Sequence, residues 1–133
     1  MAKNANHEFF EITPEILELT DLCKAHSTID TSLYAKYDVK RGLRDINGKG
    51  VLTGLTEISD IISSKVVDGK TVPCEGKLYY RGIDVEELVA GFLRENRFGF
   101  GETIYLLLFG ELPNVQQLDE FKQIMNKYRT LPT

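Results

Sequence analysis

Apolar residues recur at helical spacing in the first thirty positions of the chain. Ile12, Ile16, Leu19, Cys23 and His26 stand three or four apart, which predicts one face of a helix that ends near Ser27. Thr13-Pro14 supplies its start, since threonine caps the free amides of a first turn and proline fits where an amide has no partner anyway. Ile29, Leu33 and Tyr37 extend the spacing into a second, shorter helix with Asp30 as its candidate cap. From Lys40 the texture changes to glycines at 42, 48, 50 and 54, with Asn47-Gly48 as a turn signal. Val51 to Ile62 is rich in β-branched residues but only loosely alternating. Val66-Val67, Asp68-Gly69 and Thr71-Val72 then form the pattern of a tight β-hairpin, and Leu78 to Gly82 adds one more short strand.

The rest of the chain reads as helical. Asp84 with Glu87 resembles a capping box, and Val85, Leu88, Val89 and Phe92 form the stripe expected to be buried. Glu102 to Phe109 is apolar nearly all round, as in a helix enclosed by others, and Gly110 is placed to end it. Asn114 with Gln117 opens a last helix whose apolar face is Leu118, Phe121, Met125 and Tyr128. The expected organisation is residues 1–40 as N-terminal helices, 41–83 as a glycine-rich and hairpin segment, and 84–133 as a helical part of one larger domain. The fold class is mainly α with a small β-hairpin excursion.

Composition changes this picture little. The 133 residues are 42% hydrophobic and 27% charged, with a formal net charge of -4. That balance suits a globular domain and gives no overall positive field to attract nucleic acid. The longest apolar run, Ile104 to Phe109, is far short of the roughly 20 residues that span a bilayer. The N-terminus has neither the apolar core of a signal peptide nor the arginine-rich look of a transit peptide, so a cytoplasmic chain is expected. Cys23 and Cys74 lack paired spacing and neighbouring histidines, which points to reduced thiols and not to zinc.

Candidate chemistry is sparse. Gly48-x-Gly50 lacks the third glycine of a dinucleotide fingerprint, because Thr53 stands there. Gly69-Lys70-Thr71 imitates the end of a phosphate loop, but Ser64 occupies the required first glycine. His7 and His26 have no nucleophile or orienting acid at recognisable spacing, and His26 suits the negative end of its helix. One cluster stands out: Lys36, Lys40, Arg41, Arg44 and Lys49, five cations within fourteen residues and flanked by glycines. Such a loop either grips a phosphate or is simply solvated, and composition alone favours the solvated reading.

Three longer motifs add a resemblance. GKGVLTGLTEISDI, EGKLYYRGIDVEELV and GETIYLLLFGELP stand in this order and at plausible intervals. Together they resemble the citrate synthase family over residues from about 41 to 130, with the hairpin at 63–75 similar to an insertion in one of its branches. The resemblance implies the helical N-terminal part of a nearly all-helical fold with a minor hairpin. It implies a parent enzyme that condenses acetyl-CoA with oxaloacetate and hydrolyses the citryl thioester, with the coenzyme A thioester as substrate. A parent that uses propionyl-CoA to make 2-methylcitrate is equally compatible. The family's catalytic aspartate and histidines fall downstream of LLLFGELP, so no catalytic or metal-binding residue is expected here and the chain alone should be inactive. Arg44 resembles a family position that reaches toward the phosphates of coenzyme A. A homodimer, or self-association through exposed helix faces, is also implied. A short noncatalytic helical module that binds a partner is the alternative from another class.

Overall fold

A computed structural model describes residues 12–40, 42–45, 48 and 50–129, in which five helices accompany a three-stranded antiparallel sheet. The chain divides into two units, one made of residues 1–26 with 85–133 and the other of residues 27–84.

The first unit is helical. Helix α1, Pro14–Ala25, starts as its sequence predicts: the Thr13 hydroxyl accepts the Ile16 amide at 3.5 Å, and Pro14 fills the first turn. Helix α3, Val85–Arg94, leads to α4, Phe100–Phe109, and to α5, Val115–Lys127. The α5 start is a reciprocal cap, with the Asn114 side chain accepting from the Gln117 amide at 2.9 Å and the Gln117 side chain accepting from the Asn114 amide at 2.8 Å. Two otherwise orphaned amides are thereby satisfied.

The core of this unit is aromatic. Tyr105, Phe109 and Phe121 are buried and meet edge to face, with ring centroids 4.6, 5.5 and 5.6 Å apart. Leu19, Leu22 and Cys23 of α1 pack against them, as do Ile104 and Met125. Burial follows only part of the expected pattern. Ile12, Val89 and Leu108 are exposed, and Phe100, one turn before the predicted helix interior, is 70% exposed. Helix α4 is therefore covered on one side and open on the other, so an apolar sequence all round reports more partners than these residues provide.

Two local devices fix the ends of α4. Glu102 is buried and pairs with Arg97, which also binds Glu95 at 2.7 Å and lies 5.1 Å from the centre of the Phe92 ring. At the other end Gly110 adopts φ 81°, and its amide donates to the Leu106 carbonyl at 2.9 Å. A Cβ there would stand 2.7 Å from Nδ1 of His26, which caps the C-terminus of α1. Gly110 thus answers two demands, a left-handed stop and close approach of α1.

The second unit carries α2, Ser32–Lys36, and the sheet, with β1 Ser59–Val67, β2 Lys70–Tyr80 and β3 Ile83–Asp84 in the order β1-β2-β3. The α2 cap position is Thr31, not Asp30, yet the Asp30 carboxylate accepts the Ser32 amide at 2.9 Å. The predicted hairpin is present, and its strands run further than the sequence pattern suggests. Asp68 and Gly69 both have positive φ, 51° and 74°, the requirement of a two-residue turn that matches strand twist. Register shifts between Ile62 and Ser64, beside Pro73, where a residue without an amide is tolerated. Leu78 to Tyr80 do not form a separate strand but complete β2. Arg81 and Gly82 repeat the positive-φ turn at 49° and 83°, returning the chain as β3 before α3 begins. Asp84 at that junction pairs with Lys77 at 3.2 Å.

Gly110→Ala is expected to lower unfolding stability by about 2 kcal/mol, from left-handed strain plus overlap with His26. Part of that loss should return in a His26→Ala background, read from denaturation midpoints as a double-mutant cycle. Glu102→Ala removes one of the two carboxylate partners of Arg97, whose guanidinium stays part-exposed and paired with Glu95, and should cost about 1 kcal/mol in the same measurement.

Candidate functional site

The basic loop lies between residues 36 and 50. Its described backbone closes on itself: Lys40 donates to the Leu52 carbonyl at 2.6 Å, Val51 to Leu43 at 3.4 Å, and Arg44 forms an isolated antiparallel bridge with Gly50. Within this turn Arg44 is exposed, and its Nη1 donates to the Gly48 carbonyl at 2.8 Å. That contact uses one of the five donors of a guanidinium. Lys40 binds the Asp38 carboxylate at 2.7 Å, and this hydrogen bond holds its ammonium above the usual lysine range. Lys36 lies 5.4 Å from the centre of the Tyr37 ring. Each described cation thus has a neighbour within its own loop, while Arg41 and Lys49 lie outside the described residues. A cluster predicted from spacing becomes, in three dimensions, a closed turn carrying Arg44 on its surface.

The other candidate, His26, stands at the end of α1 against Gly110. His7 lies outside the described residues. Among the described residues, no group of three or more His, Cys, Asp or Glu side chains is placed to hold a metal ion. None of the helices among them is long and apolar enough to cross a membrane.

A feature that the sequence did not single out is a groove of about 720 Å³ where α1 and α5 flank α4. Ile16, Leu19, Phe121 and Ile124 supply apolar surface, and Glu15, Glu18 and Glu120 supply acids. Tyr105 also lines it and is 2% exposed. Burial, with the nearby charges of Glu111 and Glu120, raises its pKa above the ordinary tyrosine value. The only advance signal was a single hydroxyl within the otherwise apolar run Ile104 to Phe109.

The sign of this shift sets a pH dependence. A folded-state pKa raised above the unfolded value contributes stability fully below pH 10.0, lost as pH rises through the raised value. Tyr105→Phe should leave stability near pH 7 almost unchanged and flatten the alkaline loss, as followed by denaturant midpoints between pH 8 and 12.

Comparison with known proteins matches residues 42–133 to the family model described as citrate synthase, C-terminal domain. 2-methylcitrate synthase 1 of Corynebacterium glutamicum is 42% identical over 74 residues, which are 56% of this chain and 18% of that protein. 2-methylcitrate synthase 2 of the same organism is 39% identical over 94 residues, 71% of this chain and 19% of that protein. Citrate synthase of Saccharolobus solfataricus is 36% identical over 66 residues, half of this chain and 15% of that protein. The chain therefore spans less than a fifth of the length of these relatives. No significant match to a solved structure was found.

Proposed function

The chain belongs to the citrate synthase family, and on that premise we propose that it is the N-terminal part of a citrate synthase-type enzyme, supplying scaffold and not chemistry. Membership is carried by the family match over residues 42–133. Coverage of less than a fifth of each relative supports reading the chain as one part of a longer enzyme, while its N-terminal placement rests on the motif resemblance. The parent reaction condenses acetyl-CoA with oxaloacetate and releases coenzyme A. Taking a proton from carbon next to a thioester needs a carboxylate base and donors aimed at the enolate oxygen. In this reading both come from the polypeptide that follows residue 133, in a cytoplasmic homodimer.

Arg44 is the one residue assigned a ligand contact. Held by the Gly48 carbonyl and exposed, it keeps donors available for a phosphate of coenzyme A, and the planar guanidinium suits bidentate phosphate recognition. The family motifs around Tyr80-Arg81-Gly82 and Leu106 to Pro113 act in turns and packing.

A second reading is a 2-methylcitrate synthase, with propionyl-CoA as acyl donor. It is favoured by the names of the two Corynebacterium relatives, at 42% and 39% identity.

Turnover assays with oxaloacetate and either acetyl-CoA or propionyl-CoA test both readings, run on this chain and on the product of its whole reading frame. Activity is expected only in a longer product, and the faster acyl donor identifies the reaction. Turnover by the 133-residue chain alone would contradict the scaffold assignment. A frame ending at Thr133 with no turnover would favour a noncatalytic binding module.

A further inference from the structure

The groove beside α4 has the shape and chemistry of a helix seat. It is lined from Thr13 to Leu22 on α1 and from Gln117 to Tyr128 on α5, about three turns of each, or roughly 15 Å. Lining residues recur at spacings of three and four on both helices, so the groove is elongated along them. Its apolar surface comes from Ile16, Leu19, Phe121 and Ile124. Such a trough accepts the apolar ridge of a third helix.

Two further observations define that helix. Among the described residues, three lining carboxylates, Glu15, Glu18 and Glu120, accompany one lining cation, Lys127, so complementary flanks are basic. Glu120 is held in place by the Gln116 amide at 2.8 Å. Tyr105 lines the groove beside Phe121, its ring edge to face with that ring at 5.5 Å, so the incoming ridge meets an aromatic surface. The relatives matched carry more than four-fifths of their length outside the matched region, and that polypeptide needs surfaces to pack on.

We propose that this groove seats a basic amphipathic helix from the remaining length of a citrate synthase family polypeptide. The inference rests on the family reading given above for its occupant, while the groove itself is tested independently of that reading.

Two probes separate these parts, both used on the whole chain by fluorescence anisotropy. The first is a four-turn Leu/Lys model helix of about 14 residues, compared with its Leu/Glu counterpart. The second is a set of overlapping peptides of about 20 residues covering the part of 2-methylcitrate synthase 1 outside its matched 74 residues. The Glu18→Lys/Glu120→Lys variant reverses groove charges, and Glu57→Lys/Glu75→Lys makes the same charge change in the other unit.

The Leu/Lys helix should bind, and the groove variant should weaken it about tenfold or more while the control variant changes it less than about twofold. At least one basic peptide of the relative should show the same dependence. Equal weakening by both variants, or equal binding of the Leu/Glu helix, would overturn the groove. Binding of the Leu/Lys helix with no relative peptide binding would overturn the occupant, and failure of the family reading itself would appear in turnover assays. Self-association that the groove variant abolishes in sedimentation would assign the seat to a second copy and overturn the proposal as well.

Discussion

The helical unit depends on the burial of three rings, Tyr105, Phe109 and Phe121, against one another. Helix α4 spans ten residues, too short to hold itself in water without packing. Each edge-to-face pair adds about 0.5–1.5 kcal/mol beyond area burial, and each buried large side chain contributes about 1.5–3 kcal/mol. Tyr105 and Phe109 face the same side of α4 one turn apart, so a single face receives Phe121 of α5 and Leu19, Leu22 and Cys23 of α1. The capping of α1 and α5, the Glu102–Arg97 pair and the stop at Gly110 all serve to hold those helix ends where the rings meet.

The hairpin unit obeys different physics. Its order comes from local turn geometry, since β1 is exposed along its whole length and two strands alone are marginal in water. The Asp68-Gly69 turn sets the first register, and the Arg81-Gly82 turn adds a third strand that closes on the half-buried end of β2, Lys77 to Tyr80.

What was legible in the sequence was mostly what is decided within a few residues. Thr13-Pro14, Asn114 with Gln117, Asp68-Gly69 and the Gly110 stop are such cases, because each hydrogen bond or dihedral is fixed by its own neighbours. The Arg81-Gly82 turn was read only as a strand end leading into a helix, since arginine with positive φ is uncommon and gives no turn signal. Burial was less legible. Val89 and Leu108 carry the right spacing but stay exposed, because which face is covered depends on distant partners. Leu22 and Ile124 were missed for the same reason. Arg44 was singled out by the family resemblance and not by its cluster, and its bond to the Gly48 carbonyl depends on how the loop closes. The groove depends on three helices far apart in sequence, and only the odd hydroxyl of Tyr105 hinted at it.

The family motif therefore reads here as a packing motif: GETIYLLLFGELP builds the ring core, its buried acid and its helix stop. Native-state hydrogen exchange tests this most directly. The account predicts that the slowest amides lie in α4 and in the turns of α1 and α5 facing it, with the hairpin exchanging as a separate and faster unit. Amides of α4 exchanging as fast as those of the exposed β1 strand would contradict it.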